Sequence, residues 1–147
     1  MTMPLVTMPH ARRYPPRVTE FTRVFWDALV DGRFLVTRCA ACDRHSFPPK
    51  PICPYCWTDA ILWEEQATSG KIYSWTRVHA GPAIFEADLP YSIGIIDLDS
   101  GVRLACPLIG EVQWCCGMEI EMVSVIHPDG PFFGARPKIV SHNRYIV

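Results

Sequence analysis

The chain has 147 residues, of which 49% are hydrophobic and 20% charged, and its formal net charge is −1. That length suits one domain with a real core, or a small module joined to one, and the composition is that of a folded globular protein. A charge this close to zero gives no general pull toward nucleic acid or an anionic membrane, and no run is apolar enough to span a bilayer.

Residues 1–18 carry Pro4, Pro9, Pro15 and Pro16 with Arg12, Arg13 and Arg17. The stretch lacks the charged-then-apolar order of a signal peptide and reads as a flexible arm, or as an extended segment lying on another surface. Residues 19–33 follow as a helix with Thr19 as N-cap and Gly32 as its stop. Phe21, Val24, Phe25, Ala28 and Leu29 repeat at helical spacing on one face. Since the chain has no second helix to receive that face, it must pack on the zinc module, on the sheet domain or on a partner protein, and Phe21, Phe25, Trp26 and Leu29 read as the candidate interface.

Residues 34–66 hold two C-x-x-C pairs, Cys39/Cys42 and Cys53/Cys56, with ten residues between them. Thiolates three positions apart on a tight turn grip one side of an ion, and a second such turn completes a tetrahedron of sulfurs, the coordination of structural Zn²⁺. One zinc per chain is therefore expected on these four cysteines. Four sulfurs leave no open position for water or substrate, so the ion replaces a hydrophobic core and takes no part in catalysis. Arg38, Arg44 and Lys50 lie nearby in sequence and either offset the negative centre or are simply solvated. Trp57 and Trp63 read as packing over these turns. Seven cysteines, an odd number, suit a reducing cytoplasm, with Cys106, Cys115 and Cys116 left as small buried hydrophobes.

Residues 67–147 change to the period of strands. Lys71–Val78, Pro90–Leu98, Val102–Leu108, Met118–Ile126 and Phe132–Val140 are five short strands bounded by glycine and by the Asp99-Ser100-Gly101 turn. With no room for crossover helices they describe a small Greek-key barrel of the OB type. The fold class is thus mainly β: an N-terminal helix, a zinc ribbon and a five-stranded OB barrel. His79 and His127 fall at the barrel rim without an orienting carboxylate, and Glu119 and Glu121 read as the wet face of a strand. The apolar loop Ala80–Pro90 is either a functional loop or a cover over the barrel mouth. No phosphate loop, nucleophile elbow or dinucleotide fingerprint occurs.

Taken together, Phe25-Trp26 with Leu29 and Gly32, Arg38-Cys39-x-x-Cys42, Phe47-Pro48-Pro49, Cys53-Pro54-x-Cys56, Gly70-Lys71-Ile72-Tyr73-Ser74, Pro90-Tyr91 and Gly117-Met118 resemble the DUF35 family. In that family a rubredoxin-like zinc ribbon precedes an OB fold. The resemblance covers roughly residues 20–140. It implies a small non-catalytic subunit accompanying thiolase-like, ketosynthase-like or hydratase-like enzymes of acyl-CoA metabolism. Multicomponent C-acyltransferases, such as the one that makes diacetylphloroglucinol, are included. By that resemblance the ribbon and helix dock on the thiolase-like partner, the barrel borders the acyl or CoA path, and the catalytic groups lie in the partner.

Two other functions are open on the residues themselves. A single-stranded nucleic-acid module would stack bases on Tyr73, Trp75 and Phe85, although no basic residues interleave with them. A self-sufficient enzyme would meet CoA phosphates with Arg77, Arg103, Arg136 and Lys138.

Overall fold

The computed structural model describes residues 2–138. The elements run β1 (Leu5–Thr7), α1 (Arg23–Val30), β2 (Leu35–Cys39), β3 (His45–Ser46), β4 (Ile61–Glu65), β5 (Ser69–Val78), β6 (Tyr91–Leu98), β7 (Arg103–Leu108), β8 (Glu119–His127) and β9 (Gly130–Pro137). A 3-10 turn, Ala83–Asp88, bridges β5 and β6. Among the described residues no helix is long and apolar enough to cross a membrane.

Alternating apolar residues drive the second half into a closed barrel. Along β6 and β7 every second side chain is buried, among them Ile96, Leu98, Leu104, Cys106 and Leu108, the period a half-buried strand requires. β5 pairs antiparallel with β6, β6 with β7 and β8 with β9; β7 runs parallel beside β9, and β8 returns to β5. Five strands therefore close with the connectivity expected for an OB fold. The turn expected at Asp99-Ser100-Gly101 joins β6 to β7, with Gly101 at φ 93°. Ile139 and Val140, which the sequence adds to the last strand, lie outside the described residues.

Residues 2–18 are not a free arm. β5 pairs with β8 only over Ser69–Lys71, then departs through a bulge between Ile72 and Ser74. That leaves the edge of β8 at Ser124–Ile126 open, and β1 fills it in parallel, Leu5 opposite Ser124. An open strand edge is a row of unsatisfied donors and acceptors, so the chain's own N-terminal segment is held there. Met3 anchors it, buried in the core with its amide donating to the Gly32 carbonyl.

The helix is shorter than its pattern. Thr19 and Thr22 exchange backbone-to-hydroxyl hydrogen bonds in a preceding turn, and α1 begins only at Arg23. Of the three surfaces open to its aromatic face, the ribbon and the sheet domain take most of it. Phe25 and Leu29 are 2% and 0% exposed, inside the molecule's own core. Trp26 stacks on Phe132, and Phe21 stacks on Trp63 of β4. The missing second helix is replaced by β8 and β9 of the barrel, and the Ser124 hydroxyl donates a short hydrogen bond to the Leu29 carbonyl.

β2, β3 and β4 form a small antiparallel sheet, ordered β3-β2-β4, which carries the cysteine turns. Four phenylalanines weld it to the rest: Phe25 from α1, Phe34 just before β2, Phe47 just after β3 and Phe133 from β9. Every pair of these rings lies between 5.5 and 5.9 Å, centroid to centroid, within the range of favourable aromatic contact. Helix, ribbon and barrel thus share one core.

Candidate metal centre and its surroundings

The two cysteine turns are built alike. Cys39 leaves the end of β2 and the Asp43 amide donates back to its carbonyl; in the second turn the Trp57 amide donates to the Cys53 carbonyl. Each turn reverses at the residue after its second cysteine, with Asp43 at φ 63° and Trp57 at φ 66°. Within each turn an amide also points at sulfur, Cys42 N to Cys39 Sγ and Tyr55 N to Cys53 Sγ, both at 3.4 Å.

Cys39, Cys42, Cys53 and Cys56 bring their four sulfurs within 4.8 Å of one another. Cys39 Sγ lies 3.5 Å from Cys56 Sγ, and Cys42 Sγ lies 3.6 Å from Cys53 Sγ. A tetrahedron with metal–sulfur bonds of about 2.3 Å has edges of about 3.8 Å, whereas a disulfide closes to about 2 Å. The quartet therefore fits one tetrahedral metal ion. Without an ion the four thiols divide, Cys39 and Cys53 lowered and Cys42 and Cys56 raised. The Cys42 amide holds the Cys39 thiol below its ordinary value. Burial opposes ionisation of Cys53, but the amides of Cys56 and Tyr55 outweigh it and bring that thiol down to about 6. For Cys56 the Thr58 amide favours the thiolate, yet burial and the sulfurs of Cys39 and Cys53 push it up to about 12. Four thiolates this close repel one another, so all four ionise together only around a cation.

Around the quartet, Arg38 binds Asp43 at 2.6 Å and Glu64 at 2.7 Å, and His45 Nε2 lies 3.2 Å from the same Glu64 oxygen. Histidine is thus part of an ion-pair network outside the sulfur shell. Arg44 and Lys50 hold no carboxylate among the described residues, and Arg44 lies over the Tyr55 ring at 4.9 Å. Both line a broad cleft of about 780 Å³ between ribbon and barrel, with His45, Phe47, Tyr55 and Arg103.

Two sequence expectations fail here. Trp63 packs against the core as expected, but Trp57, at the left-handed position of the second turn, is 81% exposed. Cys106 is buried, and burial pushes its thiol up to about 12. Cys115 and Cys116 are exposed instead: they follow the buried Trp114, which anchors the β7–β8 loop in their place.

Elsewhere the candidate residues do not converge. His127 Nδ1 lies 2.9 Å from the His10 carbonyl, fastening the N-terminal segment. Glu121 pairs with Arg136 at 2.7 Å and Arg103 with Asp97 at 2.6 Å, so two of the cations suited to phosphate are already committed. Of the three aromatics suited to base stacking, Trp75 packs on the core and Phe85 packs on Tyr91. Tyr73 is exposed, but the Arg103 guanidinium covers its ring at 3.8 Å. None of the 3-10 residues of the Ala80–Pro90 loop is fully buried, and Arg13 holds its Asp88 at 3.0 Å.

Sequence comparison agrees with this architecture in both halves. Residues 26–61 match the ChsH2 rubredoxin-like zinc ribbon domain, and residues 63–136 match the ChsH2 C-terminal OB-fold domain. The chain belongs to this family, also called DUF35. It is 32% identical over 111 residues to the benzoylsuccinyl-CoA thiolase subunit BbsA of Thauera aromatica, covering 73% of this chain and 76% of that one. It is 33% identical over 105 residues to a probable enoyl-CoA hydratase alpha subunit of Thermomonospora curvata, 69% of this chain but only 32% of the relative's length. Among solved structures, a chain of the Ltp2-ChsH2(DUF35) aldolase superposes with a TM-score of 0.73 at 28% identity, covering 85% of this chain and all of that one.

Proposed function

We propose that this DUF35 chain is a non-catalytic scaffold subunit of a cytoplasmic multienzyme acyl-transfer complex. It holds one structural Zn²⁺ on Cys39, Cys42, Cys53 and Cys56 and bridges thiolase-like or ketosynthase-like catalytic subunits. The observation that carries the reading is chemical. Among the described residues the one close group of three or more metal-binding side chains is a quartet of sulfurs, and four thiolates complete the shell of a zinc ion. Such a site shapes the ribbon and offers nothing to a substrate. That BbsA, a relative of similar span, is named a thiolase subunit supports placing the reactive groups in a companion chain.

In this reading the acyl-CoA thioester stays chiefly with the catalytic subunits, since Arg103 and Arg136 are already paired with Asp97 and Glu121. Co-expression with a thiolase-like subunit tests it. A stable hetero-oligomer, with no acyl-CoA turnover by this chain alone, is the expected result. Turnover by the isolated chain, or a monomer that never associates, would overturn it.

A further inference from the structure

The two metal turns place a residue in the same left-handed conformation, and they fill it differently. In the first turn the residue is Asp43, a type that tolerates this backbone, and its carboxylate is held by Arg38 at 2.6 Å. In the second it is Trp57 at φ 66°, a bulky side chain for which that conformation is an outlier. Its indole is 81% exposed, and it has no ring partner among the described residues. Backbone strain and an exposed indole both act against Trp57 in the isolated chain, and glycine would avoid both. Strain of this kind gathers where a surface is used.

The neighbours say what would use it. Ile52 and Tyr55, from the same turn, are 49% and 54% exposed, so with Trp57 the second turn carries three exposed apolar side chains. Arg44 lies over Tyr55 and Lys50 lines the same cleft, both without a carboxylate among the described residues. Tryptophan, tyrosine and arginine are the side chains that dominate protein interfaces, and free cations beside exposed apolar side chains call for carboxylates opposite. We propose that Trp57, with Tyr55 and Ile52, is the plug by which the ribbon seats in an apolar socket of its catalytic partner, the socket edged by carboxylates that meet Arg44 and Lys50. This rests on the scaffold reading above, which supplies the partner but not the surface.

The test uses the whole chain and a purified thiolase-like subunit, with affinity, zinc content and Tm measured for each variant. Trp57→Gly should weaken association at least tenfold, while zinc content is unchanged and Tm is equal or higher. Arg44→Glu should weaken it likewise, and Arg44→Lys should restore most of it. Wild-type affinity in Trp57→Gly would overturn the plug and leave the scaffold reading standing. A lower Tm in Trp57→Gly would assign the indole an internal role and also overturn it. A wild-type chain that never binds the subunit would remove both. Salt-sensitive binding of an oligothymidylate, lost in Arg44→Glu while the protein partner still binds that variant, would give the cations to phosphates and overturn the proposed rim.

Discussion

The guanidinium of Arg12 fills the space that a side chain on Gly130 would occupy. A Cβ at residue 130 would stand 2.7 Å from Arg12 Cζ, and Gly130 itself has φ 143°. Around that seat the Arg12 Nη2 donates to the Asp129 carbonyl at 2.8 Å, Nη1 to the Pro131 carbonyl at 3.1 Å, and the Arg12 amide to Asp129 Oδ1 at 2.8 Å. The β8–β9 turn is thus shaped to receive the N-terminal segment. Gly130→Ala should cost about 1–3 kcal/mol in denaturant unfolding and expose residues 5–12 to protease. Arg12→Ala should give the same exposure with the turn intact. Full protection of the segment in both variants would show that Arg12 does not hold it.

That latch should respond to acid. The Arg12 amide and guanidinium hold the Asp129 carboxyl below its ordinary value. A lowered folded value means the contribution is complete above the ordinary Asp pKa of about 3.9, and is lost as the pH falls through the lower value kept by Asp129. The protection factor at Leu5–Thr7, exchange measured against an unstructured amide at the same pH, should therefore be high at neutral pH and fall on acidification below about pH 4, and in Asp129→Asn it should be low at both. Low protection at neutral pH in the wild type would contradict this.

Phe25 is where the three parts of the molecule meet. Its ring touches Phe34, Phe47 and Phe133 from ribbon and barrel, and it is almost fully buried. Truncation leaves a cavity shared by all three, so Phe25→Ala should cost about 3–5 kcal/mol. Ribbon and barrel should still unfold in one transition. Separate transitions in the wild type would show that the shared core does not couple them.

The barrel and the cysteine quartet were legible for simple reasons. Period-two alternation in Ile93–Leu98 and Arg103–Leu108 reports a wall with one buried face, and paired C-x-x-C spacing reports a cluster of four sulfurs, both local in sequence. What was not legible depended on distant partners. Leu5–Thr7 is a strand only because β5 leaves β8 early, and no property of residues 5–7 announces that vacancy. Phe25 and Leu29 looked unpartnered because their partner is a sheet, and a helical pattern does not say what it packs on. Trp57 looked like core because indoles usually are. The signal that corrects it is positional: in both knuckles the residue after the second cysteine, Asp43 or Trp57, has a left-handed backbone, and both side chains are exposed.

Removal of the metal should reach beyond the ribbon. Cys39 and Cys53 are buried and Cys56 is exposed, but each supplies one corner of the tetrahedron, so Cys53→Ser or Cys56→Ser should abolish tight zinc binding. The energetic consequence differs with position. At Cys53 the sulfur accepts the Tyr55 amide inside a buried turn, so serine there loses the ion and also leaves a hydroxyl in a site shaped for sulfur. At Cys56 the vacated corner opens to solvent. We expect Cys53→Ser to be the less stable of the two. Chelation of the wild type should loosen β2 and β3 first, and through Phe34 and Phe47 the aromatic junction next, so the chelated chain should show a lower Tm for the barrel as well. A barrel transition that stays at the wild-type temperature after complete zinc removal would mean that the ribbon stabilises nothing but itself, and the single core described above would then have to be divided in two.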